Sequence, residues 1–229
     1  MKEESQKVTA AVIPPPEGLR VDLPDSPYQM WVEGELHDYL HIPHDGTRVE
    51  IIDGEIVVSP APRFLHDVIC TEIAEILGHA RFTDPSYRWR SVVGNGLNFV
   101  AEENGYIPDL TVMDSDVVQE ALKLNQMYLM TDQAEMVVEV TSPSTAQRDR
   151  PPVDKQSGKG KWCGYARAEI PYYLLIDLDP AVSAITLYSI PDQASAAYLH
   201  EERWSLGETI TLPDPIGIEI PTEDWKPWD

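Results

Sequence analysis

The chain has 229 residues, 42% of them hydrophobic, and its 17 basic against 39 acidic side chains give a formal charge of −22. That length suits one domain with a real core, a mean hydropathy of −0.29 describes a soluble globular protein, and the charge opposes non-specific adhesion to a polyanion. No apolar run approaches the ~20 residues of a membrane helix, and the opening MKEESQKVTAAVIPPPEG lacks a signal peptide's apolar core, so a cytoplasmic location is expected.

Residues 1–26 hold Pro14, Pro15, Pro16 and Pro24 with few large apolar side chains, and read as a flexible proline-rich arm ahead of a single domain over 27–229. Ser26-Pro27 can cap a helix over Tyr28–Leu40, along which Met30, Trp31, Leu36, Tyr39 and Leu40 make an apolar stripe. His37, His41 and His44 have a spacing that suggests a metal. Pro43 breaks any helix between them and no matching acid or thiol is expected alongside, so they read as a surface loop. Arg48–Ile52 and Glu55–Val58 alternate around Asp53-Gly54, the strongest hairpin signal in the chain, with Glu50 and Glu55 on the polar side. Leu65, Val68, Ile69, Ile73, Ile76 and Leu77 recur at helical spacing, which predicts a helix over Phe64–His79 that covers the sheet. His66 in its first turn reads as an ordinary packed or solvated histidine that could also face a site. Cys70 and Cys163 form no CxxC pair, so free thiols are expected rather than zinc or a disulfide.

Tyr87–Val93 and Gly96–Val100 read as strands around Gly94-Asn95, and Asp109 follows Pro108 at the start of a buried strand ending at Met113. Asp114–Leu124 is a short helix or loop. Met136-Val137-Val138 is an apolar run that ends on Glu139, then Val140 and a Thr-Ser-Pro-Ser turn cluster. Lys161 and Tyr165, four residues apart, share one face of a helical segment. Pro171–Asp177 and Ala184–Ile190 read as a hairpin pair. Tyr198–Trp204, Thr209–Leu212 and Ile216–Ile220 either extend the sheet or form a small second one. Arg148, Arg150, Lys155, Lys159, Lys161 and Arg167 concentrate basic charge, as a local patch or as a charged surface loop. Phosphate-loop and dinucleotide motifs and nucleophile contexts are absent.

Two strands thus each present one carboxylate, Asp109 and Glu139, near a common sheet edge. A hard cation such as Mg²⁺ takes one or two carboxylates plus waters and phosphate oxygens, and lowers the pKa of bound water. Lys161 could orient that water or neutralise developing charge. Spacing alone leaves open the alternative of two solvent-facing acids at strand ends.

VEIIDGEIVVSPAP at Val49–Pro62, IPDLTVM at Ile107–Met113, VVEVTSPST at Val137–Thr145 and KWCGYARAEIPYYLLID at Lys161–Asp177 resemble, in order, the Uma-two family of restriction endonucleases within the PD-(D/E)XK phosphodiesterase superfamily. The resemblance implies an α/β (α+β) fold, a restriction-endonuclease-like mixed central sheet flanked by helices, here with an N-terminal hairpin and extra C-terminal strands. It implies Asp109 and Glu139 as catalytic metal ligands, Val140 as a backbone carbonyl ligand, Glu50 as a third acid, and Mg²⁺ or Mn²⁺ as cofactor. Thr141 stands where the superfamily pattern has lysine, so the lysine role passes to Lys161, with Lys155 and Lys159 as competitors. Tyr165 would hydrogen-bond behind the site or pack in the core. The expected activity is a Mg²⁺-dependent phosphodiesterase on nucleic acid, foremost a DNA endonuclease working as a symmetric homodimer. Thr141 and the charge keep a non-catalytic scaffold as the rival, and a small phosphodiester as a third substrate class.

Overall fold

The computed structural model describes residues 8–10, 23–154 and 157–228. Most of the arm expected over 1–26 lies outside the described residues, apart from a short strand, β1 (Val8–Ala10), and residues 23–26. Ser26 caps α1 (Pro27–Val32) by accepting the Gln29 N–H at 3.1 Å, with Pro27 in the first turn where its missing N–H costs nothing. The single helix expected up to Leu40 is two, because Gly34 takes a φ of 76° and ends the first turn before α2 (Leu36–Tyr39).

β2 (Arg48–Ile52) and β3 (Glu55–Ser59) form the predicted hairpin, and Asp53 and Gly54 both take positive φ, as a two-residue turn of matching twist requires. α3 (Phe64–Thr83) runs past its predicted end, with Gly78 inside it, and buries Ile69, Cys70, Ile73 and Leu77. β4 (Trp89–Val93) and β5 (Leu97–Phe99), the strands either side of Gly94-Asn95, do not pair with each other. β5 pairs with β6 (Asn104–Tyr106) and β4 with β7 (Leu110–Asp114), so this turn carries the chain from one sheet to another. Asp114 then caps α4 (Ser115–Lys123) by accepting the Asp116 N–H.

The remaining elements are β8 (Leu129–Met130), β9 (Met136–Val140), α5 (Ala146–Asp149), α6 (Lys161–Arg167), β10 (Tyr172–Asp177), β11 (Ala184–Asp192), β12 (Ala197–Ser205), β13 (Ile210–Thr211) and β14 (Glu219–Ile220). They complete two mixed sheets of six strands, ordered β1-β3-β2-β6-β5-β8 and β12-β11-β10-β9-β7-β4. β10 and β9 run parallel at the centre of the second sheet. The tail does both things expected of it: β12 extends the second sheet through β11, and β13-β14 forms a separate ribbon.

Strand alternation decides what faces the seam between the sheets. On β9, Met136, Val138 and Val140 pack with Ile69, Ile73 and Leu77 of α3, whereas Val137 joins Cys163 and Ala166 of α6. Glu139 therefore lies on the α6 side. Leu110 and Val112 of β7 likewise pack toward α3, which leaves Asp109 in phase with Met113 on the other side. In the first sheet Val49 and Ile51 pack outward with Met30, Trp31 and Leu36, while Ile52 packs inward, so Glu50 is turned inward as well. The outward face is closed by Trp31, which stacks on Tyr128 at 4.1 Å, donates to the Val49 carbonyl at 2.9 Å and lies flat over Gly105.

A Cβ on Gly105 would come within 2.5 Å of the Trp31 ring. Gly105→Ala is therefore expected to cost about 1–3 kcal/mol through overpacking, a fall in Tm of several degrees at this size. Unchanged thermal unfolding would show that Trp31 can yield.

Candidate active site

Three strands and one helix deliver charged side chains into the seam. Glu50 comes from β2, Asp109 from the residue before β7, Glu139 from β9 and Lys161 from the first position of α6, and each is at most 4% exposed. Chain order says nothing of this meeting; the pairing of β7 with β9 does. The ladder continues beyond β7, with the Asp109 N–H donating to the Val138 carbonyl at 3.1 Å. The Asp109 side chain then folds over the strand end, where its Oδ2 accepts the Val140 N–H at 2.7 Å.

Lys161 Nζ lies 2.9 Å from Glu139 Oε1 and 2.8 Å from Glu50 Oε1, so one ammonium bridges acids of both sheets. Glu50 Oε1 also accepts the Ile107 N–H at 2.7 Å. Tyr165, one helical turn on, donates its phenol to Glu139 Oε1 while its ring packs among Phe99, Tyr106 and Tyr173. Both roles expected of Tyr165 are filled. Glu50, read by alternation as belonging to the hairpin's polar side, is buried at 3% exposure because that side is roofed by the second sheet, while Glu55 is exposed. Lys159 is exposed, and Lys155 lies outside the described residues. Thr141 is buried, with its hydroxyl donating to Asp177 Oδ1 at 3.1 Å and accepting the Leu178 N–H at 3.0 Å. A lysine amine nevertheless stands beside Glu139, that of Lys161.

Three further residues complete the cluster. The Arg48 guanidinium donates to Asp109 Oδ1, and His66 Nε2 lies 2.8 Å from Asp109 Oδ2, so both oxygens of Asp109 are engaged. Arg48 precedes Glu50 by two residues on one strand and so shares its inward face, a signal present in the sequence. Asp149 is fully buried, with Oδ1 lacking any hydrogen-bond partner. Three members of the basic cluster are engaged rather than free. Lys161 is in the site, Arg150 is held by Asp177 and Asp179, and Arg167 donates to the Gly158 carbonyl.

Electrostatics follow from crowding. Burial works to raise the Asp109 pKa, but the hydrogen bond from His66 and the charges of Arg48 and Lys161 outweigh it and hold the carboxyl well below the usual range. Burial pushes Glu139 upward, and Asp109, Asp149 and Glu50 add to this against the opposing pull of Lys161. Burial would lower Lys161, yet the surrounding acids keep it an ammonium. Burial raises Asp149 to about 6, with Asp109 and Glu50 contributing and Lys161 and Thr145 opposing. Four buried acids, Glu50, Asp109, Glu139 and Asp149, thus crowd around two fixed cations, Arg48 and Lys161, with His66 hydrogen-bonded to Asp109. Cys70 and Cys163 are free and buried, and burial pushes both thiols up, Cys163 to about 11, so neither is a nucleophile.

A cavity of about 710 Å³ opens on this cluster, lined by Arg48, Glu50, His66, Asp109, Glu139 and Lys161 among others. The donor set suits a hard divalent cation: carboxylates of Asp109 and Glu139, with Glu50 nearby and Val140 on the wall, and a net charge that such an ion would cancel. Glu50, Asp109 and Glu139 do not form a ready three-acid cage, since among the described residues only His37, Asp38 and His44 bring three ligand atoms within 4.8 Å of one another.

A family model described as "Putative restriction endonuclease", Uma2, matches residues 36–223. The chain belongs to the Uma2 family. Among solved structures, the crystal structure of a "putative nuclease belonging to DUF820" from Anabaena variabilis ATCC 29413 superposes with a TM-score of 0.55 at 16% identity. It covers 82% of this chain and 96% of that one, which shows the shared mixed α/β fold. No curated protein matches the chain. The Uma2 match spans every charged residue of the cavity cluster, from Arg48 to Lys161.

Asp149 offers a direct reading of the charge excess. Its carboxyl rises from 3.8 to about 6 on folding, so between those values the native state holds a proton that the unfolded chain releases. Stability from this group is complete below about pH 4 and is lost as pH passes 6, a change on the order of 3 kcal/mol. Asp149→Asn, unable to ionise, should unfold with a flatter pH dependence from pH 4 to 8 than the wild type in metal-free buffer. Parallel curves would show that Asp149 is not strained by its charge.

Proposed function

We propose that the chain is a divalent-metal-dependent phosphodiesterase acting on nucleic acid, foremost as a DNA endonuclease. The observation that carries this reading is the buried convergence of Asp109, Glu139 and Lys161 from separate elements, with more acid than fixed cation, at the floor of one cavity. Burying surplus negative charge is expensive unless something compensates it, and a ligand-free scaffold would gain nothing from it. Membership of a family described as restriction endonucleases supports the same substrate class.

Asp109 and Glu139 would hold Mg²⁺ or Mn²⁺, with the Val140 carbonyl and Glu50 as further ligands. The bound ion would acidify a water and neutralise charge on the phosphoryl oxygens. Lys161 keeps its proton among the acids, which suits it to orient the water and to stabilise the anion that develops. Tyr165, also held protonated by burial and by Glu139, fixes the rotamer of Glu139 through its hydrogen bond. Arg48 at the cavity wall is the residue type that grips phosphate oxygens in pairs. Thr141 no longer favours the scaffold reading, since the amine stands at Glu139 from another direction. The charge of −22 and a cavity of about 710 Å³ favour, as a second reading, a compact phosphodiester over a long duplex.

Nicking of supercoiled plasmid with Mg²⁺ or Mn²⁺, beside single-stranded DNA, RNA and a chromogenic diester, tests both readings. Asp109→Asn, Glu139→Ala and Lys161→Ala should each lower turnover by about 10²–10³ or more; undiminished cleavage in them would overturn the assignment. Arg48 competes with any cation for Asp109 Oδ1. Arg48→Ala should therefore bind Mn²⁺ more tightly, by about tenfold if the lost contact is worth about 1.4 kcal/mol, measured by titration independently of activity. Weaker Mn²⁺ binding in that variant would mean that Arg48 supports the site.

A further inference from the structure

Away from the acidic cavity, the α2–β2 connection holds a second group of ligand-bearing side chains. His37 and Asp38 belong to α2, and His44 is returned over them by the following loop, which reverses at His41 (φ 53°) before Gly46 (φ 94°) leads into β2. The His37 and His44 rings stack with centroids 4.5 Å apart, and His44 Nε2 lies 3.0 Å from Asp38 Oδ1. One ligand atom from each of the three falls within 4.8 Å of the others, the only such triad among the described residues. The sequence expectation of a histidine loop without an adjoining acid is corrected here: Asp38 adjoins both rings.

We propose that His37, Asp38 and His44 form a cation site distinct from the acidic cavity, selective for a borderline late first-row divalent ion such as Zn²⁺ rather than for Mg²⁺. Two imidazoles and one carboxylate are the donors such ions prefer, whereas Mg²⁺ seeks oxygen alone. His37 Nδ1 points the same way. It is buried without a hydrogen-bond partner, and its 4.0 Å approach to Asp38 Oδ1 is too long to be one. A ligated ion would satisfy an atom that now carries an unrelieved desolvation cost. His44 and Asp38 are 78% and 73% exposed, so a fourth position stays open to water. The ion would clip the loop that ends at Arg48, and so steady the strand that carries Arg48 and Glu50 into the cavity, of which none of the three residues is a lining member.

The test is titration of tag-free full-length protein with ZnCl₂ by calorimetry, and with Co²⁺ by visible absorption, with excess Mg²⁺ present. Wild type should bind one Zn²⁺ and give the absorption of a low-coordinate Co²⁺ centre. His44→Ala and Asp38→Ala should weaken Zn²⁺ binding by at least the 10–100-fold that losing even an outer partner costs (roughly, by analogy), and His37→Ala/His44→Ala should abolish it. Asp109→Asn should bind as the wild type does. Asp38 and His44 are exposed, so their single variants should unfold at the wild-type temperature without zinc. Equal zinc affinity in the wild type and the double variant, or a loss seen in Asp109→Asn instead, overturns the proposal and leaves the phosphodiesterase reading untouched.

Discussion

The structure depends on one buried electrostatic arrangement: the Lys161 ammonium held between Glu139 of the second sheet and Glu50 of the first. Each of these groups, almost fully buried, would be costly alone. Removing one partner of a buried pair costs about 3–5 kcal/mol because the other charge is left without compensation. The bridge therefore fixes how the two sheets face each other, and it can do so only while alternation on β2 and β9 turns both acids inward. Hydrophobic packing on either side of the seam supplies the bulk of cohesion, with α3 beneath one face and α1 and α2 above the other.

A neutral or charge-balanced core would have been the simpler solution for stability alone. Here four acids share two fixed cations, Asp149 keeps an unpartnered oxygen, and Glu139 and Asp149 are both pushed toward protonation. Perturbed carboxyls grouped in a cleft are the usual mark of a site arranged for binding or catalysis. The crowding lies at the cavity wall, where Glu139 is a lining residue, and beside it at Asp149, and not in the surrounding apolar layers. That distribution is what the proposed phosphodiesterase function requires of the fold.

Much of this was legible in the chain, for physical reasons that differ by element. Asp53-Gly54 announces its hairpin because few residue pairs adopt two successive positive φ values, and α3 announces itself through a sustained apolar stripe. Asp109 and Glu139 stood out as acids closing or opening apolar strands, and the ordered family motifs tied them to Lys161. What escaped were the long-range relations. Gly94-Asn95 reads as a turn between two strands, yet those strands enter different sheets, a choice made by partners distant in sequence. The three-residue β6 and two-residue β8 are too short to show periodicity. Asp149 carries no sequence signal of its own, since nothing local tells that a four-residue helix will be buried. Asp38 was overlooked beside His37 because only the reversed loop gives the pair a third member.

The most direct test of the central claim is calorimetric titration of Mn²⁺ into the full-length protein near pH 6.5, repeated in buffers of different ionisation enthalpy. If the surplus buried charge is the seat of a divalent ion, binding is saturable, is lost in Asp109→Asn, and releases protons, because the ion takes over the compensation that protonation of Glu139 and Asp149 otherwise provides. Absence of saturable binding, or binding that Asp109→Asn leaves intact with no proton released, would contradict it.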